Sequence, residues 1–205
     1  MQGNARFVGF TSGCGGCGTT SAALAYGRSL SRLEGKNVLY ISFDFLCSKC
    51  LGDGKASKKD LYNVIVAGEE PNVLRNEIVE DCFGLKYMSF SDIVNPLHLN
   101  SKDLDFLFTN LSINFDVVIL DVPSNSIMNV EVLPYCEDIV VVYGYNNRVH
   151  KYCDDEFSYV TQLCLGSVPH KFYSDYDEES FLDDTVEIHG SFGAKVRELA
   201  TQIGA

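Results

Sequence analysis

The chain has 205 residues, 46% of them apolar, enough for one domain with a sizeable core. Its 16 basic and 28 acidic side chains leave a net charge of −12, which disfavours non-specific binding to nucleic acid or anionic lipid. No apolar run approaches the roughly 20 residues that cross a bilayer, and the start shows no signal-peptide pattern, so a cytoplasmic location is expected.

An apolar run, Phe7-Val8-Gly9-Phe10, reads as the first strand. It leads into Gly13-Cys14-Gly15-Gly16-Cys17-Gly18-Thr19-Thr20 and then into a helical stretch from Ser21 to Leu33. Strand, glycine-rich turn and helix are the layout of a phosphate-binding loop. Glycines let backbone N–H groups converge on an anion, and the helix N-terminus adds partial positive charge. Against the template G-x-x-x-x-G-K-[ST], the loop fits at Gly13, Gly18 and Thr20 and fails at Thr19, which stands where the lysine belongs. A threonine hydroxyl donates one hydrogen bond but supplies no charge to the phosphates. Backbone cradling is compatible with that change; fast hydrolysis is not.

Downstream, Val38–Ser42 reads as a short buried strand closed by Asp44, and residues 45–59 as loop. Leu61, Val64 and Ile65 carry helical spacing, and Pro71 opens a short helix over Asn72–Asn76. Leu85–Met88 is a candidate third strand. Ser101 has N-cap character ahead of Leu104, Leu107, Phe108 and Leu111, which are spaced for one apolar helix face. The β-branched run Asp116–Asp121 is the strongest strand, of the kind buried on both faces of a parallel sheet. Ile139–Tyr143 repeats the pattern, His150–Leu163 is expected to be helical, and a last helix spans about Phe192–Ile203. With no repeat or linker, residues 1–205 read as a single domain. Its expected fold class is α/β, a three-layer P-loop NTPase-like domain with a mostly parallel central sheet.

In such sheets ligands bind at the carboxyl ends of the strands. The glycine loop, Asp44 and Asp121 should meet there. Asp121 ends an apolar strand as a Walker-B aspartate does, and with the Thr20 hydroxyl would hold Mg²⁺. Two C-x-x-C pairs, Cys14/Cys17 and Cys47/Cys50, each follow a strand; if those first two strands are neighbours, the four thiolates support an alternative, a Zn²⁺ or iron–sulfur site. The stretch between the pairs, residues 18–46, exceeds the usual ribbon spacing of roughly 15–20. The eight cysteines otherwise read as reduced thiols. His98, His150, His170 and His189 share no ligand spacing, and the acidic stretch 175–184 reads as a solvated loop. Lys195 and Arg197 do not make the polybasic face of a membrane-targeting helix.

These motifs together resemble the ParA/MinD-like P-loop ATPases with a deviant Walker A loop. The family's K-G-G-x-G-K-[ST] aligns without a gap on Cys14-Gly15-Gly16-Cys17-Gly18-Thr19-Thr20. The lysine that reaches the partner's nucleotide falls on Cys14, and the in-cis lysine on Thr19. The second-strand D-x-D falls on Ser42-Phe43-Asp44 and the D-x-P switch on Asp121-Val122-Pro123. The family strand expected late in the chain is not evident between Leu165 and Tyr173. The lysine-poor loop and acidic character are most similar to the TadZ/CpaE-like proteins of Tad pilus assembly.

The resemblance implies a degenerate member that binds ATP or ADP with Mg²⁺ along Gly13–Thr20, with Asp44 positioning water and Thr20 and Asp121 at the metal. It further implies a homodimer with weak or absent hydrolysis. Such a dimer would serve a cell-envelope or pilus assembly machine and reach the inner face of the membrane through a partner. The alternatives are a slow ATPase using Asp44 and Mg²⁺, the four-cysteine metal module, and a nucleotide-free scaffold.

Overall fold

The structure is a computed structural model that describes residues 5–12, 18–43, 78–81, 83–89, 101–122, 131–143, 161–164, 198–201 and 203. Seven strands are described: β1 (Arg6–Ser12), β2 (Val38–Ser42), β3 (Val79–Glu80), β4 (Lys86–Ser89), β5 (Val117–Asp121), β6 (Asp138–Tyr143) and β7 (Thr161–Cys164). They form one sheet in the order β3-β4-β2-β5-β1-β6-β7. Every pairing is parallel except that of β3 with β4. The β-branched runs read from the sequence lie in the middle, where both faces are covered: every residue of β2 and β5 is buried.

Alternation along the strands divides the core in two. Val8, Phe10, Val38, Tyr40, Val117 and Ile119 face helix α1 (Thr19–Glu34), with Leu199, Ala200 and Ile203 from a helical segment near the C-terminus completing that layer. Phe7, Leu39, Ile41, Val118 and Leu120 face helix α2 (Ser101–Asn114). The α2 residues that meet them are Leu104, Leu107, Phe108 and Leu111, the stripe expected from their spacing. Burying each such side chain is worth about 1.5–3 kcal/mol. The architecture is therefore the expected three-layer α/β domain with a mostly parallel sheet.

Helix α1 sits close to the sheet because its inner face is small. Ala22, Ala23 and Ala25 are buried, and a Cβ on Gly27 would come within 2.9 Å of Ile119 Cδ1 and Leu85 Cδ1. Gly35 ends the helix in the left-handed conformation at φ 65°, and its N–H donates to the Leu30 carbonyl.

Two features depart from the sequence reading. The chain at 161–164 is strand, not helix: Thr161–Leu163 belonged to the stretch expected to be helical, but Val140–Tyr143 pairs in parallel with Thr161–Cys164. The backbone of β6 needs hydrogen-bonding partners on its outer side, and that demand outweighs local helix preference. Strand β7 lies just upstream of Leu165–Tyr173, a stretch outside the described residues. The other departure is β3, a two-residue antiparallel edge strand joined to β4 by a turn. Asp81 builds that turn: its Oδ1 accepts the N–H groups of Phe83 and Leu85 at 2.9 and 3.0 Å, with Gly84 at φ 81°.

The expectations for residues 45–59, 61–65 and 71–76, the four histidines, the acidic 175–184 stretch, Lys195 and Arg197 lie outside the described residues. Among the described residues no helix is long and apolar enough to cross a membrane.

Candidate functional site

Strands β2 and β5 end level with one another, and β1 runs two residues beyond them. Strand β5 stands between β2 and β1, so the strands ahead of the two C-x-x-C pairs are not the neighbours that the four-cysteine reading supposes. In the sheet register Asp121 lies opposite Phe10 on one side and Ser42 on the other. The ladder runs one residue further, with Val122 N–H donating to the Phe10 carbonyl and Phe43 N–H to the Asp121 carbonyl, both at 2.9 Å. The central strand therefore delivers a carboxylate to the sheet's carboxyl edge, on the face that carries α1. Asp121 is only 2% exposed there.

Helix α1 opens over the same edge. Gly18 precedes it at φ 85°, ψ 21°, a left-handed conformation that favours glycine. Its carbonyl accepts the first helical hydrogen bond, from Ala22 N–H at 2.9 Å. The helix has no side-chain cap and no acidic residue in its first turn. Among the described residues, no side chain of the helix itself caps its leading amides, an arrangement that leaves a helix start suited to an anion.

Two hydroxyls converge on Asp121. Thr20, in the first turn of α1, donates to Asp121 Oδ2 at 2.7 Å. Tyr40, fully buried on β2, donates to the same oxygen at 2.6 Å. The hydroxyl oxygen of Thr20 keeps lone pairs for a second interaction while its proton is engaged. A hydroxyl and a carboxylate are hard oxygen donors, and a pair of them beside a helix N-terminus fits Mg²⁺ better than a soft metal.

Of the residues assigned from the sequence, the structure brings together Gly18, Thr19, Thr20 and Asp121. Gly13, Cys14, Gly15, Gly16 and Cys17 lie outside the described residues, as does Asp44. So do the alternative metal ligands Cys14, Cys17, Cys47 and Cys50; among the described residues no cluster of His, Cys, Asp and Glu could hold a metal ion. Tyr40 is the residue that sequence reasoning missed. Its signal was a hydroxyl within an otherwise apolar, fully buried strand, which needs a hydrogen-bond partner inside the protein.

No protein-family model and no curated sequence matches the chain. Solved structures do. A ParA family ATPase from Chlorobium tepidum TLS superposes with a TM-score of 0.63 at 15% identity, covering 96% of this chain and 98% of that one. Cobyrinic acid a,c-diamide synthase from Mycobacterium smegmatis, with bound ADP and magnesium, gives 0.66 at 17% identity over 97% and 94%. A chain of the MinC:MinD cell division protein complex from Aquifex aeolicus gives 0.57 at 18% identity over 79% and 68%. The fold is that of the ParA/MinD-type P-loop ATPases. At these identities the likeness is one of architecture. Within this ParA/MinD-type fold, Thr20 lies in the first turn of the helix after β1 and Asp121 closes the central strand beside it.

Proposed function

We propose that the protein is a degenerate ParA/MinD-like nucleotide-binding protein that takes ATP or ADP with Mg²⁺ and acts as a dimeric assembly or positioning factor. Residues 1–205 form one nucleotide-binding domain in this reading. The observation that carries it is the 2.7 Å contact between the Thr20 hydroxyl and the Asp121 carboxylate at the carboxyl edge of a parallel sheet. Backbone amides from Gly13 to Thr20 hold the phosphates, Thr20 and Asp121 hold the metal, and Asp44 positions water. When bound, Mg²⁺ supplies the positive charge that a lysine at position 19 would have shared.

Structural neighbours support the ligand class: cobyrinic acid a,c-diamide synthase was crystallised with ADP and magnesium and with an ATP analogue and magnesium. The MinC:MinD complex supports a protein partner. The lysine-poor loop argues for weak or absent hydrolysis and, with the acidic charge, for a role like that of TadZ/CpaE-like proteins beside a pilus or other envelope machine. The protein would be cytoplasmic, reaching the membrane through that partner, with no non-specific DNA binding.

Thermal denaturation with ATP and Mg²⁺ tests this reading. Wild type is expected to gain several degrees, and Thr20→Val and Asp121→Asn to lose the Mg²⁺-dependent part of the gain. A wild-type transition that ATP–Mg²⁺ leaves unmoved would overturn it.

A further inference from the structure

The Asp121 carboxylate is held from two elements at once, by α1 through Thr20 and by β2 through Tyr40. From this juxtaposition we infer that Tyr40 is a positioning residue that fixes the Asp121 carboxylate for a divalent cation. The inference rests on the nucleotide–metal reading and adds a residue to it.

The argument begins with cost. Tyr40 lies in Val38-Leu39-Tyr40-Ile41, every side chain of which is fully buried. A leucine or phenylalanine would fill that space without bringing a hydroxyl that must be satisfied. The hydroxyl is satisfied at one particular place. Tyr40 is paired in register with Ile119, yet its ring extends along the sheet so that the oxygen reaches the carboxylate two positions further on. Two donors on Oδ2 occupy both of its lone-pair directions and fix the plane of the carboxylate.

The two hydroxyls then have different parts. Thr20 is partly exposed in the first helical turn, so its oxygen can serve a cation while its proton stays on Asp121. Tyr40 is sealed in the core and reaches the site through Asp121. Outer partners of this kind orient a metal-binding carboxylate and tune its affinity. They matter more here, because Thr19 supplies no ammonium group to share the orientation of ligand charge.

The test is a Mg²⁺ titration of the ATP-dependent thermal shift. Tyr40→Phe keeps the ring and removes the donor. It is expected to raise the half-saturating Mg²⁺ concentration about tenfold, while the shift given by ATP in EDTA stays at the wild-type value. A purely structural tyrosine would lower the ligand-free transition and leave the Mg²⁺ midpoint in place; that result overturns the inference and leaves the nucleotide reading standing. A wild type that shows no ATP–Mg²⁺ shift removes both. Should the variant not fold, 3-fluorotyrosine labelling of the wild type keeps every ring in place. One tyrosine resonance should then broaden when Mn²⁺ replaces Mg²⁺ in the ATP complex, and no broadened resonance would count against Tyr40.

Discussion

Thr19 is the first residue of α1, next to the Thr20–Asp121 contact, and a single substitution there measures how much the missing ammonium group matters. A charged donor to phosphate contributes about 1.5–3 kcal/mol. Thr19→Lys is therefore expected to tighten ATP–Mg²⁺ binding by roughly 10- to 100-fold, read by calorimetric titration; unchanged affinity would mean that position 19 does not face the phosphates. A second residue-scale prediction concerns Cys136. Its thiol lies against Gly9, where an added Cβ would come within 2.8 Å of the sulfur. Burial, reinforced by Glu137 and Asp138, pushes that thiol from 9.0 up to about 12. The unfolded chain releases this proton near pH 9 and the folded chain holds it to about pH 12. Its contribution is thus complete below pH 9 and is lost as pH rises across that window. Tyr135, raised to about 12 by its hydrogen bond to Asp105, steepens the same limb above pH 10. Urea denaturation of Cys136→Ala should show a shallower fall in stability between pH 9 and 12 than wild type, whatever the cavity costs at neutral pH.

Among elements, α1 is anchored at its middle as well as at its start. Arg28, with a side chain only 5% exposed, pairs with Asp81 at 2.8 Å and lies over the Phe83 ring at 4.8 Å. That joins the helix to the β3–β4 turn. Breaking a buried pair by removing one partner costs about 3–5 kcal/mol. Arg28→Met should fall near 3 kcal/mol, because Asp81 keeps two backbone donors, and urea denaturation gives the value. How much was legible in the sequence follows the same division between local and distant causes. The β-branched strands, the α2 stripe and the Gly18–Thr20 helix start are local patterns, so they could be read directly. The β3 turn left a weaker local trace, Asp81 and Gly84 three apart. Strand β7 left none, since Thr161–Cys164 is strand only because β6 lies beside it. Tyr40 stayed hidden for a like reason: its partner is 81 positions away.

For the whole molecule, the sheet order and the superpositions agree on a ParA/MinD-type architecture, while the proposed reading has Cys14 where a lysine would cross to a partner subunit. An association that survives without that lysine should not depend on nucleotide. Sedimentation velocity is expected to give the same species in ATP–Mg²⁺ and in EDTA; a dimer that forms only with ATP would show that another group performs the crossing. The order of the strands has a further consequence for biogenesis. β5 comes late in the chain yet is inserted between β1 and β2, so Asp121 meets Thr20 and Tyr40 only after contacts distant in sequence have closed. Such contacts form slowly. A nascent chain whose Asp121 has not yet left the ribosome cannot assemble the Thr20–Tyr40–Asp121 cluster, so on the proposed reading ligand capture would report that synthesis has passed this strand and that β5 has closed between β1 and β2.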